Sequence, residues 1–352
     1  MTTLFDPVSL GDLTLPNRII MAPMTRSRAA AGDVPTELHV AYYGQRASAG
    51  LIITEGTQPS PAGKGYCRTP GIHSTAQIEA WQRVTEAVHA GGSRIVLQLM
   101  HCGRIAHPAN KDADAETVAP SAIRARGKMY TEGGMQDFAL PRALSRDDIP
   151  LVIDEYRQAT RNALAAGFDG VELHGTSGYL PAQFLSTGSN QRTDEYGGTL
   201  DNRLRFVLET LQAMCAEAGA GRVGLRICPG NPFNDLHDDD PAATFAGLLA
   251  AATPLKLAYL HLVYLPQLAV DGLQLVQQHY RGALVLNDSL TFETASQTVA
   301  SGVAEAVSFG RPFIGNPDLV ERFRRGAALA AFDPATLYTA GAQGYTDYPV
   351  LA

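Results

Sequence analysis

The residues able to do chemistry in this 352-residue chain gather where short apolar runs end. Ala22-Pro23-Met24-Thr25-Arg26 closes one run, Glu55-Gly56-Thr57 the next, and Gln98, Met100 and His101 a third. His174, Ser177 and Tyr179 follow in HGTSGY, then Arg226, Asn287-Asp288-Ser289 and Gly310-Arg311. By type these are imidazole, hydroxyl and phenol donors, an amide that both donates and accepts at Gln98, and fixed cations at Arg226 and Arg311. The chemistry on offer is hydrogen bonding and proton transfer. Metal hydrolysis is disfavoured, because His101 and His107 lack a partner set such as H-E-x-x-H. A Schiff base is disfavoured too: Lys64, Lys111, Lys128 and Lys256 do not fall at run ends. Taken singly, each site residue has a plainer use. Arg226 reads equally as an ion-paired core arginine, and Pro23 and Thr25 as the shape of a turn.

The runs that carry these residues are RIIMAP (18–23), LIITEG (51–56), RIVLQL (94–99), GVELHG (170–175), RVGLRI (222–227), YLHLVY (259–264), ALVLND (283–288) and AVSFGR (306–311). Continuous β-rich runs separated by helical patterns indicate strands buried on both faces, as in a parallel sheet. Eight such units in one chain predict an α/β fold, a (β/α)8 barrel spanning 1–352 as a single domain, with a doubly wound sheet as the alternative. Helices are predicted over 74–89, 145–166, 202–217 and 291–301, with Ser74 as an N-cap, Ser145 and Asp148 as a near-capping box, and Gly167 as a stop. Residues 4–18 read as a β-hairpin closing the barrel floor. Residues 102–144 are too long for an ordinary connection, so they are placed over the mouth as a capping loop. HDDD (237–240) reads as a solvated turn.

Composition narrows the partners. With 45% hydrophobic and 18% charged residues, the chain is far from the disordered class. A net charge of −7 argues against nucleic acid or an anionic membrane as partner. A phosphate-bearing ligand must then be held by local arginines and backbone amides. Cys67, Cys102, Cys215 and Cys228 fit neither a zinc site nor a disulfide framework and read as reduced thiols of a cytoplasmic protein. No signal peptide or membrane-length apolar run is present in the sequence. The expected partner is a small molecule, the expected state a monomer or homodimer.

NRIIMAPMTRSRA (17–29), GYCRTPGIHS (65–74), VELHGTSGYLPAQFLS (171–186), RTDEYGGTLDNR (192–203), FGRPFIGNPDLVERF (309–323) and GYTDYP (344–349) resemble the Old Yellow Enzyme family. These are FMN-dependent ene-reductases. The resemblance runs through nearly the whole chain and, at Thr25, points to the branch without cysteine there. It implies that Pro23, Met24 and Thr25 line the flavin, and that the backbone at Gly56 approaches the ring because no Cβ intervenes. Gln98 would face the pyrimidine edge and Arg226 the N1–C2=O locus, where a cation favours the reduced, anionic flavin. Ser289, Gly310 and Arg311 would hold the phosphate. His174 and Ser177 would donate to a substrate carbonyl, Tyr179 would protonate the α-carbon, and Met100, Phe233 and Tyr338 would line the substrate pocket. The implied reaction is reduction of activated C=C bonds of α,β-unsaturated carbonyls or nitroalkenes. NADPH or NADH would be the transient hydride donor, in a ping-pong cycle. The absence of a strand-linked G-x-G-x-x-G agrees with a nicotinamide that visits without a Rossmann domain.

Four positions depart from the family pattern. Ser177 stands where members carry His or Asn, which implies a shorter-reaching carbonyl anchor. Met100 replaces the usual tryptophan, implying a wider and softer pocket. Val263-Tyr264 replaces a more usual acidic or polar end to the sixth run. Asp288-Ser289 replaces a glycine-rich pair, and a carboxylate beside a phosphate is repulsive by about 1 to 4 kcal/mol at contact distance. These departures also motivate an alternative, a biosynthetic specialist of the same fold catalysing a redox-neutral isomerisation or rearrangement. Asp288→Gly is expected to tighten FMN binding, measured as a lower dissociation constant; equal constants in variant and parent would remove the repulsion.

Overall fold

The computed structural model describes residues 2–287 and 290–351, so Asp288 and Ser289 lie outside the described residues. All eight apolar runs form strands: β1 (Ile19–Met21), β2 (Leu51–Ile53), β3 (Arg94–Leu99), β4 (Gly170–His174), β5 (Val223–Ile227), β6 (Tyr259–Val263), β7 (Leu284–Asn287) and β8 (Ala306–Phe309). They pair in parallel around a closed barrel, with β8 hydrogen-bonded to β1, as expected from the sequence. Alternation along β4 sends Val171 and Leu173 outward into the main apolar core shared with the helices. Glu172 and His174 then face the barrel interior.

The helices around the barrel are α1 (Glu37–Gly44), α2 (Thr75–Ala90), α3 (Asp148–Ala165), α4 (Leu200–Ala218), α5 (Pro241–Ala252), α6 (Gly272–His279), α7 (Phe292–Ala300) and α8 (Leu319–Arg325). Ser74 caps α2 by accepting from the Gln77 amide, and its buried stripe is Trp81, Val84 and Val88. Ser145 and Asp148 do exchange hydrogen bonds of 2.8 and 3.1 Å. Residues 146–147 nonetheless remain a turn, so α3 begins at Asp148, three residues later than the pattern predicts. In the acidic run, Asp240 caps α5. No helix among the described residues is long and apolar enough to cross a membrane.

The floor is the expected hairpin, Val8–Leu10 paired antiparallel with Leu13–Leu15. Leu10, Leu13 and Leu15 pack with Ile20, Leu51 and Val96 in an apolar cluster of their own. At the opposite end, the loop after β1 is bound to residues 336–345 near the C-terminus. Arg26 donates to the carbonyls of Leu337 and Gly344, and Arg28 to those of Leu337, Thr336 and Gln343. Tyr345 stacks on Tyr42 of α1 at 4.0 Å between ring centroids.

Glu55, at the tip of β2, is wholly buried beneath this clamp. Its Oε2 accepts from the Arg26 amide at 3.2 Å, Tyr43 donates to Oε1 at 3.3 Å, and His39 Nε2 is 3.6 Å away. Burial pushes the carboxyl up to about 7 from 4.5, against the opposing pull of Arg26 and Tyr43. A carboxyl raised on folding stabilises the fold below its unfolded pKa. That stability is lost as pH rises through the folded pKa, here about 3 kcal/mol between pH 4.5 and 7. Glu55→Gln is therefore expected to flatten the melting temperature across that window, and a variant that keeps the parent's slope would show that Glu55 is not its source.

Candidate active site

Toward the C-terminal ends of the strands the barrel interior turns polar. Glu172 Oε1 accepts from Gln98 Nε2 at 2.7 Å, and Glu172 Oε2 lies 2.8 Å from His261 Nδ1. Arg226 Nη1 meets His261 Nε2 at 2.8 Å and Nη2 donates to Asn287 Oδ1 at 2.8 Å. His261 Nε2 also faces Ser308 Oγ at 2.8 Å. β4 and β6 are not neighbours in the barrel, so the contact between Glu172 and His261 crosses its interior. The belt takes one side chain from each strand between β3 and β8.

Burial sets the charge states. It holds His261 down to about 4, with the Arg226 cation adding to the effect, so the imidazole is neutral at pH 7. Burial also lowers Arg226 while Glu172 opposes it, and the guanidinium stays charged. Burial alone would raise Glu172; His261, Arg226 and Gln98 outweigh it and hold the carboxyl below its ordinary value. The belt contains one anion and one cation joined through a neutral ring.

His174 accepts the Thr176 amide on Nδ1 at 3.4 Å, which leaves its proton on Nε2. Burial, with the Arg226 charge, holds it at about 3. The chain then turns through left-handed Ser177 (φ 60°) and Gly178 (φ 78°) and brings Tyr179 edge-on against His174, ring centroids 4.8 Å apart. The Tyr179 hydroxyl lies 3.0 Å from that of Tyr66. Burial drives the Tyr179 phenol well above 10, with Tyr66 adding to the shift, and pushes Tyr66 to about 12. Both phenols therefore keep their protons at neutral pH.

The 102–144 segment contributes Cys102, Ile105, Ala125, Met129 and Phe138 to an apolar cluster that also contains Met100 and Tyr179. Asn234, in the loop after β5, donates to the Ser177 carbonyl at 2.8 Å. Its neighbour Asp235 is gripped by Arg104 and Arg126 of the 102–144 segment, at 2.6 and 2.7 Å. Three loops over the mouth are thereby tied to one another.

Pro23, Arg226, Gly310 and Arg311 come together with Asn287 and Phe309 around one cavity of ≈ 330 Å³. Among the described residues a Cβ at Gly310 would meet only Met24, at 3.5 Å. Thr25 is half-buried one residue beyond Met24, and Ser289 lies outside the described residues. A Cβ at Gly56 would strike the Met100 side chain, so its bareness makes room for Met100. Phe233 and Tyr338, expected as pocket walls, stand at the rim with 57% and 60% of their surface exposed. A cation and an amide at one end, and an arginine beside an open glycine at the other, form a donor set that fits a flavin mononucleotide. Sequence reasoning missed Tyr66, Glu172 and His261. For the last two a signal was present, an ionisable residue in the middle of an apolar strand run.

Comparison with known proteins agrees with this geometry. Residues 3–330 match the model of the NADH:flavin oxidoreductase / NADH oxidase family. A probable flavin mononucleotide-dependent alkene reductase of Leishmania infantum is 42% identical over 98% of this chain and 96% of its own. A 12-oxophytodienoate reductase of rice (Oryza sativa subsp. japonica) is 40% identical over 99% and 93%. Morphinone reductase in complex with tetrahydroNAD superposes with a TM-score of 0.95 at 46% identity, over 100% of this chain and 98% of that one. An old yellow enzyme homologue of Zymomonas mobilis gives 0.96 at 42%, over 99% and 100%. The resemblance seen in the motifs thus holds across the fold, and the chain belongs to the NADH:flavin oxidoreductase family of Old Yellow Enzyme type, FMN-dependent oxidoreductases that draw electrons from NAD(P)H.

Proposed function

We propose that this protein reduces the activated C=C bond of α,β-unsaturated carbonyl compounds or nitroalkenes, with nicotinamide and acceptor occupying one site in turn. The observation that carries the reading is the placement of two buried, neutral proton carriers, His174 and Tyr179, edge to face at the end of the strand next to Arg226. The similarity to alkene, 12-oxophytodienoate and morphinone reductases supports the same substrate class.

Pro23, Met24, Thr25, Gly56, Gln98 and Arg226 would hold the flavin ring, and Gly310 and Arg311, with Ser289, its phosphate. FMN held there would supply hydride-transfer chemistry between NAD(P)H and the β-carbon of the acceptor. His174 presents Nε2–H to the acceptor's carbonyl oxygen, where negative charge grows as the hydride arrives. Ser177 is the second donor, with the shorter reach of a hydroxyl. Tyr179, held protonated by burial, delivers its proton to the α-carbon. Tyr66, 3.0 Å from the Tyr179 hydroxyl, fixes that phenol's direction. The 102–144 segment and Met100 cap the site and keep bulk water from the phenol pair, while Phe233 and Tyr338 meet the far end of the substrate.

Stopped-flow measurement of the two half-reactions tests the acid. Tyr179→Phe is expected to slow reoxidation by cyclohexenone about 10²–10⁴-fold while leaving anaerobic bleaching by NADPH at the parent rate. Reoxidation at the parent rate would remove Tyr179 from the reaction. The left-handed backbone at Ser177 gives a second test, because asparagine adopts that conformation more readily than serine and reaches further. Ser177→Asn is expected to stabilise the fold by up to about 1 kcal/mol in denaturant titrations and to lower the KM for the enone. No change in KM or turnover would show that Ser177 is no weakened anchor.

A further inference from the structure

We propose that Glu172, acting through His261, is a positioning residue that orients Gln98 and Arg226 toward the flavin and keeps the potential of bound FMN low. The proposal deepens the reading above and rests on Gln98 and Arg226 facing the ring. It stands on the connectivity of the belt. An ionised carboxylate only accepts hydrogen bonds, so the Gln98 amide must turn its nitrogen toward Glu172. That fixes which end of the amide is left for the cavity, a choice the Gln98 side chain alone does not settle. On its other oxygen Glu172 faces His261 Nδ1, so this nitrogen carries the proton, and Arg226 Nη1 lies against the ring, 2.8 Å from Nε2 and 3.0 Å from Nδ1. Asn287 holds the second arm of the guanidinium, and its amide nitrogen is tied in turn to the Ser308 carbonyl at 3.0 Å. Arg226 has no freedom to swing.

The electrostatic consequence follows from burial. Glu172 and His261 are fully buried, so their interactions with Arg226 are little screened by water. A lone guanidinium at the N1–C2=O edge would favour the reduced, anionic flavin strongly; Glu172 offsets part of that cation's field. Removing the anion therefore raises the potential, and removing the cation lowers it.

The test is the potential of FMN-loaded protein, read against a reference dye in anaerobic titration. Glu172→Gln keeps the shape and removes the charge; it is expected to change the oxidised-to-reduced ratio at least tenfold toward reduced, about 30 mV for a two-electron couple. Glu172→Asp keeps the charge and is expected to retain the parent potential although it alters the shape. A purely structural role predicts the reverse order, with Gln near the parent and Asp displaced, and that result overturns the proposal. Arg226→Gln serves as control and is expected to lower the potential. If it does so while Glu172→Gln leaves the potential unchanged, the role of Glu172 fails alone. If Arg226→Gln has no effect, or the parent protein binds no FMN, the placement of the ring fails with it. Should Glu172→Gln not yield folded protein, as judged by circular dichroism, His261→Leu carries the test. It leaves the buried carboxyl without its bridge, so the group takes up a proton and the potential moves upward as for Glu172→Gln; an unchanged potential in that variant overturns the proposal.

Discussion

A guanidinium inside a ring of apolar strands must find its counter-charge in the same enclosed space, and most of the site is arranged by that requirement. Arg226 is placed there by β5, with only 9% of its surface exposed. Glu172 is its anion, and the neutral His261 ring touches both. Breaking a buried pair by removing one partner is far more costly than never having built it, about 3–5 kcal/mol in comparable cases. The belt therefore gives the barrel interior one defined arrangement, and Gln98 and Asn287 inherit their orientations from it.

Above this belt the loops serve a different purpose. The stretch from His174 to Tyr179 reverses direction through two left-handed residues, and Asn234 pins the turn by its carbonyl. Asp235 then links the same loop to Arg104 and Arg126 of the capping segment. The phenol pair of Tyr66 and Tyr179 sits under that knot, dry enough to keep both protons. Rigid strand ends thus set the electrostatics, while interlocked loops hold the phenol pair in place.

The strands were legible because each is a short, β-branched run flanked by turn residues, and the floor hairpin because Leu10, Leu13 and Leu15 had no other core to enter. The meeting of Pro23, Arg226, Gly310 and Arg311 around one cavity was legible for the same reason, since the C-terminal end of a strand faces the mouth wherever the strand lies. Glu172 and His261 were not. Their contact joins non-adjacent strands, and which pair meets across a closed barrel depends on stagger around the whole ring, which no local pattern encodes. The Ser177 backbone was hidden as well, since Thr-Ser-Gly signals a turn without saying that serine shares the left-handed conformation. The exposure of Phe233 and Tyr338 reflects loop geometry, which composition does not determine. Gly56 was read for its missing Cβ, and the space so left is taken on one side by Met100.

The clamp of Arg26 and Arg28 on residues 336–345 has a consequence for synthesis. Carbonyls more than 300 positions downstream satisfy two arginines in the first loop of the barrel. While the ribosome is still making the middle of the chain, those guanidinium groups have no such acceptors. This side of the barrel mouth is therefore completed only after residues 336–345 have left the exit tunnel.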